Sequence, residues 1–181
     1  MGKITDALKK AAEEKLAKLE RIDNKTEVKY EFIVKKTVDS KIDPRIIAFF
    51  DPQSPVVEQY RTLRTNLQAI QAKQPIKVIT ITSSVHSEGK TITSINLAIS
   101  MAQDLDKKRI LLVDGDLRRA RVGKYLGIAS STGLSDLITN GFQVDDALLN
   151  IGVENLTVLP AGKIPHNPAE LLGSVKLKSL I

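Results

Sequence analysis

Ile76-Lys-Val-Ile-Thr-Ile-Thr82, followed by Ser83-Ser-Val-His-Ser-Glu-Gly89-Lys90-Thr91, decides the fold. Six of the first seven residues are β-branched, Lys77 being the exception, and the run is too apolar for a surface loop, which predicts a buried strand. The polar turn after them runs into Lys90–Leu105, where Ile92, Ile95, Leu97, Ala98, Met101 and Ala102 recur at helical spacing. Ser84 to Thr91 fits the phosphate-binding loop pattern, with Ser84 in place of the first glycine. Such a loop curls so that successive N–H groups and the next helix N-terminus face an anion. Gly89 permits the close approach, Lys90 supplies a point charge to the β- and γ-phosphates, and the Thr91 hydroxyl is a Mg²⁺ ligand.

Downstream, Arg109–Val113 predicts a second strand that ends in Asp114-Gly-Asp116. Strand, helix, strand within this span argues a right-handed parallel βαβ unit, and ligands of such sheets sit beyond the carboxyl ends of the strands. Asp114 and Asp116 therefore face the same crevice as the loop, as partners of Mg²⁺ or as bases. Further elements are a helical turn at Arg121–Leu126, a helix after Gly133, a segment at Asp145–Leu149, a strand at Leu156–Leu159 and a helix opened by Asn167-Pro168. The fold class is α/β, a P-loop NTPase-type parallel sheet flanked by helices and left incomplete, with an N-terminal amphipathic helix and linker.

Upstream, Ile4, Leu8, Ala12, Leu16, Leu19 and Ile22 mark that amphipathic helix, and residues 25–43 read as a linker with one marginal strand around Tyr30, Phe32 and Val34. Ser54–Ala72 is helical in pattern, with Pro55 in its first turn and Val56, Tyr60, Leu63, Leu67 and Ile70 on one face. This divides the chain into an extension over 1–50 and a nucleotide-binding domain over 51–181.

Composition narrows the function. The 181 residues carry 27 Lys and Arg against 21 Asp and Glu, for a net charge of +6, and no Cys or Trp. The absence of Cys excludes disulfide and thiolate chemistry, and His86 and His166 stand too far apart in sequence to suggest a zinc site. No basic stretch is interleaved with aromatics, so no specific nucleic-acid partner is expected. No apolar run suffices to span a bilayer and no secretory leader is read, so the expected location is the cytoplasm.

Several motifs in fixed order carry a resemblance. Glu58-Gln-Tyr-Arg61-Thr-Leu-Arg64-Thr-Asn66, the loop ending Glu88-Gly-Lys-Thr91, Asp114-Gly-Asp-Leu-Arg118, Gly133-Leu-Ser-Asp136, Leu159-Pro-Ala-Gly162 and Asn167-Pro-Ala-Glu-Leu-Leu172 resemble the bacterial tyrosine kinases of capsule and exopolysaccharide synthesis. The resemblance runs from about Asp51 to Ile181. It implies an ATP-dependent protein-tyrosine autokinase with ATP and Mg²⁺ as cofactors. Ser87, Glu88, Gly89, Lys90, Thr91 and Ile92 would take the nucleotide, and Thr91, Asp114 and Asp116 the metal, with Lys90, Asp114 and Asp116 catalytic. It also implies a homo-oligomer in which Glu58 of one subunit meets Arg61 and Arg64 of the next. A membrane-embedded chain-length or activator protein would hold the chain at the inner face of the membrane.

Two features depart from that family: the third acidic strand, the Walker B element, and a C-terminal tyrosine cluster are missing. Tyr30, Tyr60 and Tyr125 are scattered, which reads as a piece of a longer kinase. Two alternatives stay open, a catalytically impaired, nucleotide-gated oligomerising scaffold and a partition or septum-placement type of ATPase. Val85 stands where the latter class carries an extra Lys.

Overall fold

The computed structural model describes residues 35–36, 42–129 and 132–180. The N-terminal amphipathic helix and the strand expected around Tyr30, Phe32 and Val34 lie outside the described residues. The elements are β1 (Lys35–Lys36), α1 (Ile47–Phe50), α2 (Pro55–Gln71), α3 (Lys90–Ala102), β2 (Ile110–Val113), α4 (Arg121–Tyr125), α5 (Leu134–Asn140), α6 (Val144–Ala147), β3 (Leu149–Asn150), β4 (Leu156–Leu159), α7 (Pro168–Leu172) and α8 (Val175–Leu180).

The strands form one small sheet in the order β1-β3-β4-β2. β2 runs parallel to β4, from Ile110 beside Leu156 to Val113 beside Leu159, but β3 and β4 are antiparallel. The sheet is thus mixed, where an all-parallel one was expected, because the turn at Gly152 folds the short β3 straight back onto β4; its φ of 86° suits glycine. The Asp114 N–H donates to the Leu159 carbonyl at 2.9 Å, which carries the β2–β4 ladder one residue further and fixes Asp114 at the carboxyl end of the sheet.

A second correction concerns Ile76–Thr82. These residues belong to no strand, and Val78 is 64% exposed and Ile79 37%. A strand is buried by neighbours on both sides. Here β2 is the sheet's edge, and no described strand pairs with the run, so its β-rich composition finds no partner.

The core lies between α3 and the sheet. Ile95, Ile99 and Ala102 of α3 meet Leu112, Leu156 and Val158, and a second cluster gathers Leu117, Leu137, Ile138, Leu148 and Leu159 under α5. Packing continues across residue 51 without a break, since Ile42, Ile46 and Ala48 join the first cluster. Helix α2 starts at Ser54, whose Oγ accepts the Val56 N–H at 3.3 Å, but turns Val57 inward and leaves Val56, Leu63 and Ile70 substantially exposed. The apolar face read from the sequence is therefore partly exposed, and α2 is tied to α3 through polar groups. Arg64 donates to the Ser100 carbonyl at 2.6 Å, and Gln68 donates to Asp104 at 2.5 Å.

Asn96 fastens the segment before α2 to α3. It is buried; its Oδ1 accepts the Ala48 N–H at 2.9 Å, and its Nδ2 donates to the carbonyls of Ile92 at 2.9 Å and Arg45 at 3.2 Å. Replacing it with Ala leaves a buried N–H without an acceptor, and the expected cost is about 2–3 kcal/mol. Urea denaturation of Asn96→Ala beside Ser94→Ala, which loses only a hydroxyl bond to the Lys90 carbonyl, measures this. Equal midpoints for the two variants would contradict the clamp.

Candidate functional site

The loop before α3 turns through two residues with positive φ, Ser87 at 66° and Gly89 at 95°. At Gly89 an added side chain would meet open space, but the backbone angle disfavours any residue bearing one. The left-handed turn at Gly89 delivers the chain into α3, whose 13 residues start at Lys90. The first amides of a helix lack internal acceptors and attract anions. Part of the loop already engages one, since the Glu88 carboxylate accepts the Val85 N–H at 3.3 Å.

Lys90 and Asp116 meet across this site, Nζ to Oδ2 at 3.3 Å, with both side chains about three-tenths exposed. Burial raises the Asp116 carboxyl's pKa, but the Lys90 ammonium and the Arg119 and Arg118 N–H donors outweigh it, and the net shift is downward. Asp116 is thus held as the anion. Asp114 is placed differently. It is 4% exposed, and its two oxygens accept the Asp116 N–H at 3.1 Å and the Val122 N–H at 3.0 Å. Burial pushes its pKa up, aided by the nearby Asp116 charge and opposed by those two N–H donors and by Lys90. One carboxylate of the pair faces the cleft; the other holds the turn that presents it.

Lys90, Thr91, Ile92, Gly89, Ser87 and Asp116 line one cleft, while Asp114, expected to face it, sits behind it and Glu88 is not among its lining residues. Arg45, His86, Arg119, Arg121 and Tyr125 complete the walls. Arg45 carried no signal in the sequence, because it lies before the expected domain and has no motif around it. The donor set suits a magnesium-bound phosphate chain: loop amides, one ammonium, a hydroxyl and one anionic carboxylate. Among the described residues no three His, Asp or Glu side chains gather as a metal cage. A hard cation here would take oxygens from Thr91, Asp116, the phosphates and water, which is how Mg²⁺ is usually held.

Of the three charged residues on α2, Glu58 and Arg61 pair with each other at 3.0 Å near the surface, and Arg61 also donates to the Pro52 carbonyl. Arg64 is held within the chain by Ser100 and lies 3.7 Å from the Asp104 carboxylate.

At the far end of β4, Leu134 N–H donates to the Pro160 carbonyl at 2.8 Å and Ser135 N–H to that of Ala161 at 2.9 Å. The buried Asp136 carboxylate accepts the N–H groups of Gly133 and Lys163. This lock joins Gly133-Leu-Ser-Asp136 to Leu159-Pro-Ala-Gly162.

Comparison with known proteins follows the same stretch. No family model matches the chain. It is 36% identical over 147 residues to the tyrosine-protein kinase YwqD of Bacillus subtilis (strain 168), covering 81% of this chain and 61% of that protein. It is 37% identical over 129 residues to the putative tyrosine-protein kinase CapB of Staphylococcus aureus, covering 71% of this chain and 56% of that one. Among solved structures, the BceF tyrosine kinase domain superposes with a TM-score of 0.67 at 34% identity, covering 75% of this chain and 53% of that chain. The chain thus spans little more than half the length of these relatives. Among the described residues no helix is long and apolar enough to cross a membrane.

Proposed function

We propose that the chain belongs to the bacterial tyrosine kinase family of capsule and exopolysaccharide synthesis, and that its cleft binds Mg·ATP and passes the γ-phosphoryl group to tyrosine. The observation that carries this reading is the placement of Lys90 at the start of α3, 3.3 Å from the anionic Asp116. In the reaction the bond between the γ-phosphorus and the bridging oxygen breaks, and a bond to the tyrosyl oxygen forms. The tyrosyl proton leaves to a base.

Lys90 and the loop amides from Ser87 to Ile92 stabilise the phosphate charge. When bound, Mg²⁺ neutralises the β- and γ-oxygens, and Thr91 and Asp116 are the residues that would hold it. Asp116 is also the carboxylate placed to orient the acceptor hydroxyl. Asp114 is a positioning residue, because both of its oxygens are occupied by the backbone of the turn it holds.

The reading extends to assembly. Glu58 and Arg61 are the accessible part of an oligomer contact, beside the exposed Val56 and Leu63, while Arg64 sets the pose of α2. We place the chain in a homo-oligomer at the inner face of the membrane, recruited by a membrane-embedded activator and acting on polysaccharide synthesis and export.

The test incubates the full chain with Mg·ATP and follows both phosphotyrosine and oligomer mass, with and without EDTA. Phosphotyrosine that disappears with EDTA is expected. Nucleotide-dependent assembly without phosphotyrosine would establish the scaffold alternative instead. Hydrolysis stimulated by DNA or lipid would establish the partition type.

A further inference from the structure

The cleft wall carries cationic groups that the residues assigned above do not use. The Lys90 charge is met by Asp116, but the side chains of Arg119 and Arg121 meet no carboxylate among the described residues. Arg45 is built in with more care. Its Nε and Nη2 donate to the two Asp43 oxygens at 2.9 and 2.8 Å, and its guanidinium carbon lies 4.9 Å from the centre of the Tyr125 ring. The backbone is held as well: Asp43 N–H donates to the Tyr125 carbonyl at 2.8 Å, and Asn96 donates to the Arg45 carbonyl. The Asp43 carboxyl is correspondingly held down to about 2 by the Arg45 guanidinium.

The side chain is nonetheless 60% exposed and lines the cleft. A guanidinium has five N–H donors, and Asp43 takes two of them. The rest form an oriented edge whose ordering cost is already met within the chain, as suits bidentate capture of an oxyanion. The cleft's other walls are shaped for a phosphate chain. Its Lys90 and Thr91 end is where the terminal phosphates of a nucleotide belong.

We infer that Arg45, supported by Arg119 and Arg121, grips the terminal phosphate of the bound nucleoside triphosphate and so makes the site prefer triphosphate over diphosphate. This rests on the Mg·ATP reading above and adds a specificity-determining residue from outside the loop.

Calorimetric titration of the full chain with Mg·ADP and with the magnesium complex of the non-hydrolysable β,γ-imido analogue of ATP tests it. The wild type is expected to bind the triphosphate more tightly. Arg45→Gln should lose about tenfold in triphosphate affinity while diphosphate affinity moves less than about twofold, the size of one lost charge-assisted bond. Equal losses for both ligands, or none, overturn the inference and leave the nucleotide reading standing. A wild type that binds neither ligand overturns both. Should Arg45→Gln unfold with the loss of its Asp43 and Tyr125 contacts, Arg121→Gln decides: a lowered triphosphate preference supports the grip, and a wild-type preference overturns it.

Discussion

Lys90→Met is expected to lower tyrosine phosphorylation by at least about a hundredfold, the scale on which a single donor aimed at developing negative charge contributes to catalysis. The substitution keeps much of the apolar stem and removes the ammonium. It also strips Asp116 of its partner at 3.3 Å, and Asp116 is about three-tenths exposed, so water can take over. Ion pairs in such settings contribute at most about 1 kcal/mol, and the thermal midpoint should therefore stay close to that of the wild type. The combination is what discriminates: activity falls by orders of magnitude while the fold is kept. Phosphotyrosine yield and a melting curve on the same preparation measure both. Undiminished labelling by Lys90→Met would remove Lys90 from the reaction, and with it the assignment of this cleft. Asp116→Asn should show a parallel loss, since Lys90 and Asp116 act on the same phosphate. The double variant should then lose less than the product of the two single effects.

The parts of this site legible in the sequence were those set by local backbone chemistry. Gly89-Lys90-Thr91 places a left-handed residue ahead of a helix start, and Lys90–Ala102 is helical as its periodicity predicted. Leu156–Leu159 and the helix opened by Pro168 also fall where pattern and proline placed them. What the sequence did not reveal depends on neighbours. Ile76–Thr82 reads as a strand covered on both faces, and nothing in those seven letters records that no described strand lies beside it. Leu111 and Val113 show the same limit, being exposed at the sheet edge although the run Ile110–Val113 is wholly apolar. Arg45 and Asn96 were invisible for a related reason. The bond between them spans 51 residues of sequence, and neither sits in a motif. Asp114 and Asp116 look equivalent on paper. The fold separates them, because the ladder bond to Leu159 fixes one behind the turn and the turn presents the other.

Gly133→Ala is expected to destabilise the protein by about 3 kcal/mol, at the upper end of overpacking costs. The reason is steric and not conformational, since Gly133 has an extended backbone with φ of −165° that any residue adopts. A methyl group there would lie 2.2 Å from the Gly162 nitrogen, 2.3 Å from the Pro160 oxygen and 2.7 Å from the Ala161 carbonyl carbon. All three are backbone atoms, which cannot swing aside as a long side chain can. Relief requires α5 and the segment after β4 to separate, and this breaks the bonds from Leu134 and Ser135 to Pro160 and Ala161. Asp136, buried with its carboxylate on the Gly133 and Lys163 N–H groups, loses its donors in the same movement. The disturbance also reaches the site. Leu159, one residue before this contact, accepts the Asp114 N–H at 2.9 Å, and Asp114 in turn holds the Asp116 turn. A melting curve should show the midpoint lowered by roughly 6–12 °C for a domain of this size. Gly115→Ala is the matched comparison: it lies between the two acids, yet an added methyl there meets nothing within 4 Å. If Gly115→Ala lowers the midpoint as much as Gly133→Ala, loss of glycine in itself is the cause and the steric lock is refuted. If only Gly133→Ala does so, and nucleotide affinity falls with it, the lock supports the strand end on which Asp114 is mounted.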